Sequence, residues 1–272
     1  MERRDFLKSG IAMAGAGAAL GAEEMAMAQK NRGATDASGA LEYYQLRRYA
    51  LRNGPQTALA QQYFAQALIP ALGRLGIGPV GAFKLDVGGR MPAYYVLIPG
   101  QTAEKLADLD LLLGADREYV KDAAGFRDAP SNAPAFERSE RTLLRAFTRW
   151  PKLPPPVGGT LPKRIFQLRT YESPSQVAHA RKVAMFNEAE IGIFRRTGLT
   201  PVFFGETLAG TRMPSLTYML TFADAAEMAT RWATFSSDEE WKELSHKPGN
   251  TDAEIVSNIT NLYLSPLACS QI

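Results

Sequence analysis

Glutamine, arginine and tyrosine recur at alternate positions in two short stretches of the chain. Tyr43 to Tyr49 reads YYQLRRY, and Ile165 to Tyr171, 122 residues further on, reads IFQLRTY. Alternate side chains of a strand share a face, so Gln45, Arg47 and Tyr49 form one set and Gln167, Arg169 and Tyr171 another. A guanidinium held in low dielectric needs an acceptor. The acceptor is either a carboxylate of the protein or the carboxylate or phosphate of a ligand, which arginine grips through two N–H groups. The intervening residues, Tyr44 and Leu46 with Phe166 and Leu168, form an apolar set that is expected to meet helices. The polar six should then converge on the space between the two stretches. There they would form an internal network that sets strand register, or bind a small anionic or polar aromatic ligand.

Other residues with chemical potential are few. Arg90-Met91-Pro92 and Arg212-Met213-Pro214 each follow a turn; proline at a strand start has a plain structural use, while Arg90 and Arg212 could guard a mouth. The chain has two histidines, His179 on a helical stripe and His246 in His-Lys-Pro-Gly. No group of histidines and cysteines has ligand spacing, so no metal is expected. There is no Ser-His-Asp order, phosphate loop or dinucleotide glycine pattern in a strand–turn–helix context, since Gly73, Gly76 and Gly78 follow a helix. No cofactor is therefore expected from the residues.

The elements that must carry these groups are duplicated. Tyr44 to Tyr119 aligns without a gap on Phe166 to Trp241, with 20 of the 76 paired positions identical. The pairs include Phe64 with Phe186, Arg74 with Arg196, Gly76 with Gly198, Asp116 with Asp238 and Glu118 with Glu240. Each copy reads β-α-β-β-α-β. A strand is followed by a helix over 55–75 or 174–197, which Pro70 should kink or restart in the first copy. A hairpin over 80–98 or 202–222 follows, then helical turns capped by Asp116 or Asp238, and a last strand near 142–147 or 258–264. Glycines Gly76 and Gly198 sit where a helix should stop. In the second helix the stripe Val183, Phe186, Glu190, Phe194 carries one acidic interruption.

This is the split β-α-β, ferredoxin-like arrangement, whose sheet has helices on one face and needs a partner on the other. Two copies in one chain can bury those faces against each other as a pseudo-symmetric α/β barrel, an α+β fold. Pairing of each copy with a second chain is the alternative, and leaves homo-oligomerisation open. The expected organisation is a first repeat over 41–150, a proline-rich linker over 151–163, a second repeat over 164–267 and a short tail over 268–272.

Residues 1–28 read as a twin-arginine export signal: Arg3 and Arg4, a Gly/Ala-rich apolar run, then Ala26-Met27-Ala28, with a mature chain from Gln29 and a disordered stretch over 29–40. Retention as an uncleaved anchor is the alternative; the run is too weak for a stable membrane span. Localisation is then periplasmic or secreted. Cys269, the only cysteine, cannot form an intrachain bridge. Loss of 1–28 moves the formal charge from +3 to about +4, and no basic run with interleaved aromatics stands out, so nucleic acid is not an expected partner.

YQLRRY and FQLRTY resemble the opening motif of NIPSNAP domains, a branch of the dimeric α/β-barrel superfamily. ALIPALGRLGIGPVGAF (67–83), LLRAFTRWPKLPPP (143–156) and SSDEEW (236–241) are similar to further segments of its exported tandem members. The resemblance covers nearly all of the expected mature chain. It implies the barrel fold but no single activity: relatives include oxygenases, haem-handling proteins and non-catalytic members. The function it implies is small-molecule binding or an assembly role at the inter-repeat barrel. The alternative is a cofactor-independent or haem-linked oxygenase-type enzyme, for which His179, paired with Thr57 in the first copy, would be the candidate axial ligand.

Overall fold

The computed structural model describes residues 40–155 and 164–272; the expected signal, the tail up to residue 39 and residues 156–163 of the linker lie outside the described residues. Eight strands close into one antiparallel barrel: β1 (Tyr43–Ala50), β2 (Gly81–Val87), β3 (Ala93–Gly100), β4 (Arg138–Ala146), β5 (Ile165–Glu172), β6 (Thr200–Ala209), β7 (Ser215–Phe222) and β8 (Asn258–Pro266). Neighbours run β1-β3-β2-β8-β5-β7-β6-β4. The first four strands are thus ordered β4-β1-β3-β2 and the last four β8-β5-β7-β6, a split β-α-β order both times. Two seams, β2 with β8 and β4 with β6, join the halves, and each carries a register shift, at Leu85/Val87 and at Leu143/Leu144. Such shifts bend a strand and help a sheet to close.

Helices pack on the outside. Over β1–β4 lie α1 (Pro55–Tyr63), α2 (Ile69–Arg74), α3 (Ala103–Ala107), α4 (Leu109–Ala115), α5 (Arg117–Asp122) and α6 (Ala124–Arg127). Over β5–β8 lie α7 (Gln176–Met185), α8 (Ile191–Arg196), α9 (Ala225–Ser237), α10 (Glu239–His246) and α11 (Asp252–Ile255). α1 passes into α2, and α7 into α8, through a five-residue π turn, Phe64–Leu68 and Phe186–Glu190. Pro70 does start α2, but Gly192 stands at the same place in the second half, where the turn is identical. The π turn therefore does not depend on the proline.

The duplicated charges serve one repeated clasp. Asp116 accepts from the backbone N–H of Glu118 and Tyr119, and Asp238 from that of Trp241, so both cap a helix start. Arg74 then binds Asp116 at 2.7 Å and Glu118 at 3.0 Å, while Arg196 binds Asp238 and Glu240, both at 2.7 Å. Arg74 and Arg196 come from the last turns of α2 and α8, so the clasp ties that helix to the start of α5 or α10 in each half. Gly76 and Gly198 follow with φ of +69° and +80°, the left-handed conformation that ends the helix.

Three cores result. One lies inside the barrel and draws on all eight strands, including Tyr44, Leu46, Phe83, Phe166, Leu168 and Phe203. The other two lie between each half-sheet and its helices. Rings meet across the halves in the inner core: Phe83 and Phe166 have centroids 4.8 Å apart, and Tyr44 and Phe203 5.2 Å. Because both halves share that core, Phe83→Ala should cost about 3–5 kcal/mol. Urea unfolding followed by circular dichroism and by tryptophan fluorescence, whose reporters lie in the second half and the segment leading to it, should show one shifted transition. Two separate transitions would mean that the halves are not coupled.

Candidate functional site

The two faces of β1 and β5 are the reverse of the sequence expectation. Tyr44, Leu46, Phe166 and Leu168 point into the barrel, and Gln45, Arg47, Tyr49 and Gln167, Arg169, Tyr171 lie beneath the helices. Both faces of a closed barrel strand are buried, so period-two alternation separates them without saying which is inner. The drier face went inward, where no helix offers hydrogen-bond partners. The polar six therefore do not converge; they are split between two helix layers on opposite halves.

The inward set ends differently in the two halves, in Arg48 and in Thr170, and there the interior opens into a cup of about 360 Å³. Its apolar lining comes from Leu46, Leu168 and Leu262. Hydroxyls surround them: Tyr95, Thr142, Thr207 and Ser215, with Thr170 and Thr217 2.9 Å apart. Arg48, Arg90 and Arg212 supply positive charge and Glu140 the negative. Arg48 reaches Glu140 at 3.2 Å and faces Tyr95 across the β1–β3 ladder. Burial pushes the Tyr95 phenol up, and Arg48 draws it partly back. Arg212 donates to Thr260 Oγ1 at 2.5 Å and lies 3.5 Å from Glu172, while Arg90 meets Glu137 at 3.1 Å. The expected mouth residues Arg90 and Arg212 are thus brought together at one barrel end. Arg48 and Glu140 were missed, although Arg48 versus Thr170 is the one interior position where QLRRY and QLRTY diverge.

In the first half's helix layer the polar set is satisfied within the fold. Arg47 Nε donates to Gln45 Oε1 at 2.5 Å and Nη2 to Asp110 Oδ1 at 3.0 Å, while Gln45 donates to the Leu106 carbonyl at 2.6 Å. Burial opposes charge on Asp110, but Arg47 and Arg141 hold its carboxyl below the usual range. Tyr49 packs among Phe64, Phe126 and Phe136.

The second half builds something else at the same register. Arg169 finds no carboxylate among the described residues; it donates to the Tyr171 hydroxyl at 2.9 Å and lies 4.9 Å over the Trp232 ring, which stands where Asp110 does in the first half. Its Nε has no hydrogen-bond partner among the described residues. Tyr171 meets Tyr218 at 3.1 Å, and Gln167 accepts from the Trp232 indole at 2.8 Å. Beside them Lys182 and Glu190, 1% and 2% exposed, stand 3.6 Å apart, with Asp252 3.7 Å from the ammonium. Rings of Tyr171, Phe186 and Trp241 surround the Lys182 ammonium at 5.2, 5.3 and 5.7 Å. Burial pushes the Glu190 carboxyl up, with Lys182 acting against it. The first-half counterparts of Lys182, Glu190 and Tyr218 are Ala60, Leu68 and Val96, so this polar cluster belongs to one half alone.

His179 is buried on α7, its Nε2 3.3 Å from Glu206 Oε1 and its Nδ1 without a partner among the described residues. The contact with His179, then that with Arg145, holds the Glu206 carboxyl down at about 2. His179 does not line the cup. With Nε2 committed to Glu206, the residues around it do not fit an axial haem ligand. Among the described residues no group of three or more His, Cys, Asp or Glu side chains could hold a metal ion, and no helix is long and apolar enough to cross a membrane.

A closed eight-stranded antiparallel barrel with helices outside defines the α+β class to which solved structures of other proteins also belong. A provisionally assigned monooxygenase from Lactobacillus acidophilus NCFM matches with a TM-score of 0.52 and 8% identity, over 83% of this chain and 94% of that one. Another, from Fusobacterium nucleatum, gives 0.51 and 8%, over 84% and 94%. The sequence of the second half narrows this: residues 166–271 match the NIPSNAP family model. A NIPSNAP-like domain protein from Burkholderia xenovorans aligns at 21% identity over 39% of this chain and 86% of its own, with a TM-score of 0.35. No curated protein matches the chain.

The Lys182–Glu190 pair gives a direct test of what burial has fixed. Lys182→Met leaves the buried Glu190 without its cation and should destabilise by about 3–5 kcal/mol, whereas Glu190→Leu leaves Lys182 with Asp252 and should cost less. The double variant, which approaches the apolar character of the first half, should return to within about 1 kcal/mol of the parent or exceed it. Chemical denaturation of all four proteins completes the cycle. Additive losses would show that the two side chains do not act as a pair.

Proposed function

We propose that the protein binds a small anionic, partly apolar molecule in the cup at the barrel end. The observation that carries this is Arg48, an arginine on the inward face of β1, set beside three leucines and a ring of hydroxyls in a cavity of about 360 Å³. That volume falls in the range of small-molecule sites, and the mix of apolar lining with a few aimed polar groups is what such sites need. Arg48 touches Glu140 through one nitrogen only, so further guanidinium N–H groups remain to take a carboxylate. Thr170, Thr217 and Ser215 on the facing strands can donate to the same anion or to a second polar group.

Benzoate and its neutral amide are suitable probes in isothermal titration. The carboxylate should bind and the amide should bind at least about tenfold more weakly, since hydrogen bonds to a charged partner contribute roughly 1.5–3 kcal/mol. Arg48→Gln should abolish the difference between the two. Equal binding of both probes to the parent protein, or an unchanged preference in Arg48→Gln, would refute the anion site.

We further read the chain as a tandem duplication of a NIPSNAP-type unit whose copies pair within one polypeptide, exported in folded form by the twin-arginine segment. The gapless repeat of the sequence and the same strand order in both halves support the first part. Arg3 and Arg4 before an apolar run and a small-residue cleavage pattern support the second. Exported material should begin at Gln29 by N-terminal sequencing, and Arg3→Lys with Arg4→Lys should leave the protein in the cytoplasmic fraction. Unchanged fractionation of that variant would remove the export reading.

A further inference from the structure

Seven large apolar side chains are exposed among the described residues, and five of them crowd the end of the barrel that holds the cup. Val87 and Met91 flank the β2–β3 turn and are both 55% exposed; Leu208 and Met213 flank the β6–β7 turn at 37% and 51%; Ile259 opens β8 at 39%. Single exposed apolar residues are ordinary. Five at one pole, with Met91 and Met213 at equivalent places in the two halves, are not a scatter. Next to each methionine stands an exposed arginine, Arg90 or Arg212, which touches Glu137 or Glu172 through one nitrogen among the described residues.

The arrangement selects among partners. Protein interfaces have an apolar centre and a polar rim. Here the order is inverted: a hydroxyl-lined, charged cup occupies the centre and the apolar tips stand around it. A second copy of the chain set against this end would enclose the polar cup and leave the tips little flat surface to bury. A fluid layer accepts separate apolar tips one by one, while arginines beside them meet anionic headgroups. Methionine suits that task, being unbranched and adaptable. With no membrane-spanning helix among the described residues, attachment of the barrel would be peripheral.

We propose that this pole of the barrel docks on an anionic lipid surface, with the two Arg-Met-Pro hairpin tips inserted at the interface and the cup opening toward it. The docking does not require the anion site to be occupied, so the two readings are tested apart. The full chain should co-sediment with vesicles of equal parts phosphatidylglycerol and phosphatidylcholine, and less with phosphatidylcholine alone. Met91→Ser with Met213→Ser should lower the partition coefficient about tenfold or more, because two partly buried thioether chains lose their contact. Arg90→Gln with Arg212→Gln should lower it on the anionic vesicles only. Both pairs are exposed, and thermal melts should match the parent. As a second readout, Met91→Trp should shift its emission to the blue on adding anionic vesicles. Co-sedimentation that both double variants retain in full would place the contact elsewhere in the chain and overturn the proposal. So would a parent that ignores vesicles, or a dimer in sedimentation equilibrium that Met91→Ser with Met213→Ser dissolves.

Discussion

Each half-sheet has two faces to remove from water and helices enough for only one. That constraint organises the whole molecule. The free faces bury each other, and closure through β2–β8 and β4–β6 also removes the sheet edges, whose unpaired N–H and C=O groups would otherwise invite other strands. The inner core is apolar because nothing inside the barrel can hydrogen-bond a buried polar group except another strand's side chain. At the end of the barrel where water enters, this restriction lapses. There the inward positions become Arg48, Thr170, Thr142 and Thr217, and the cup is the consequence of closure rather than an addition to it.

The helix layers obey a looser rule, and the halves have used the freedom differently. Helices bring backbone carbonyls and carboxylates within reach of the sheet, so an outward-facing arginine can be satisfied in more than one way. Arg47 takes Gln45 and Asp110; Arg169 takes a tyrosine hydroxyl and the face of Trp232. Replacement of an aspartate by a tryptophan at that register exchanges an ion pair for a cation–π contact. The second half then carries its carboxylate on the π turn instead, as Glu190, and sets Lys182 against it. The π turn itself is common to both halves, opening on Phe64 or Phe186, and it provides the frame in which Leu68 or Glu190 is buried.

Much of this was legible in the residues. The gapless repeat gave the strand order of each half, and helix stops at Gly76 and Gly198 and caps at Asp116 and Asp238 follow from local backbone chemistry. The co-occurrence of Arg74, Asp116 and Glu118 with their second-half equivalents was also visible, and proved to be a single clasp. The acidic interruption at Glu190 was a true sign of a buried charge whose partner, Lys182, lies eight positions back, two turns away on the same helical face. What could not be read was the direction of the two strand faces. A pattern of period two reports that the faces differ, and a strand buried on both sides gives no solvent-exposed face from which to take a bearing.

That ambiguity explains why the candidate site moved while its neighbourhood did not. Arg90 and Arg212 sit on turns, where position follows from topology alone, and they border the cup. The strand residues had to be assigned by face, and reversal of that assignment exchanged Arg47 and Arg169 for Arg48 and Thr170. The exchange matters chemically. Two inward arginines related by the duplication would have offered a symmetric pair of cations across the axis. One arginine facing one threonine makes the cup unequal at that register, with Glu140 paired to the Arg48 guanidinium on the β1 side, while Arg90 and Arg212 border the cup from both halves. The cup is thereby polarised, because the halves differ at inward-facing positions such as Arg48 and Thr170 or Tyr95 and Thr217.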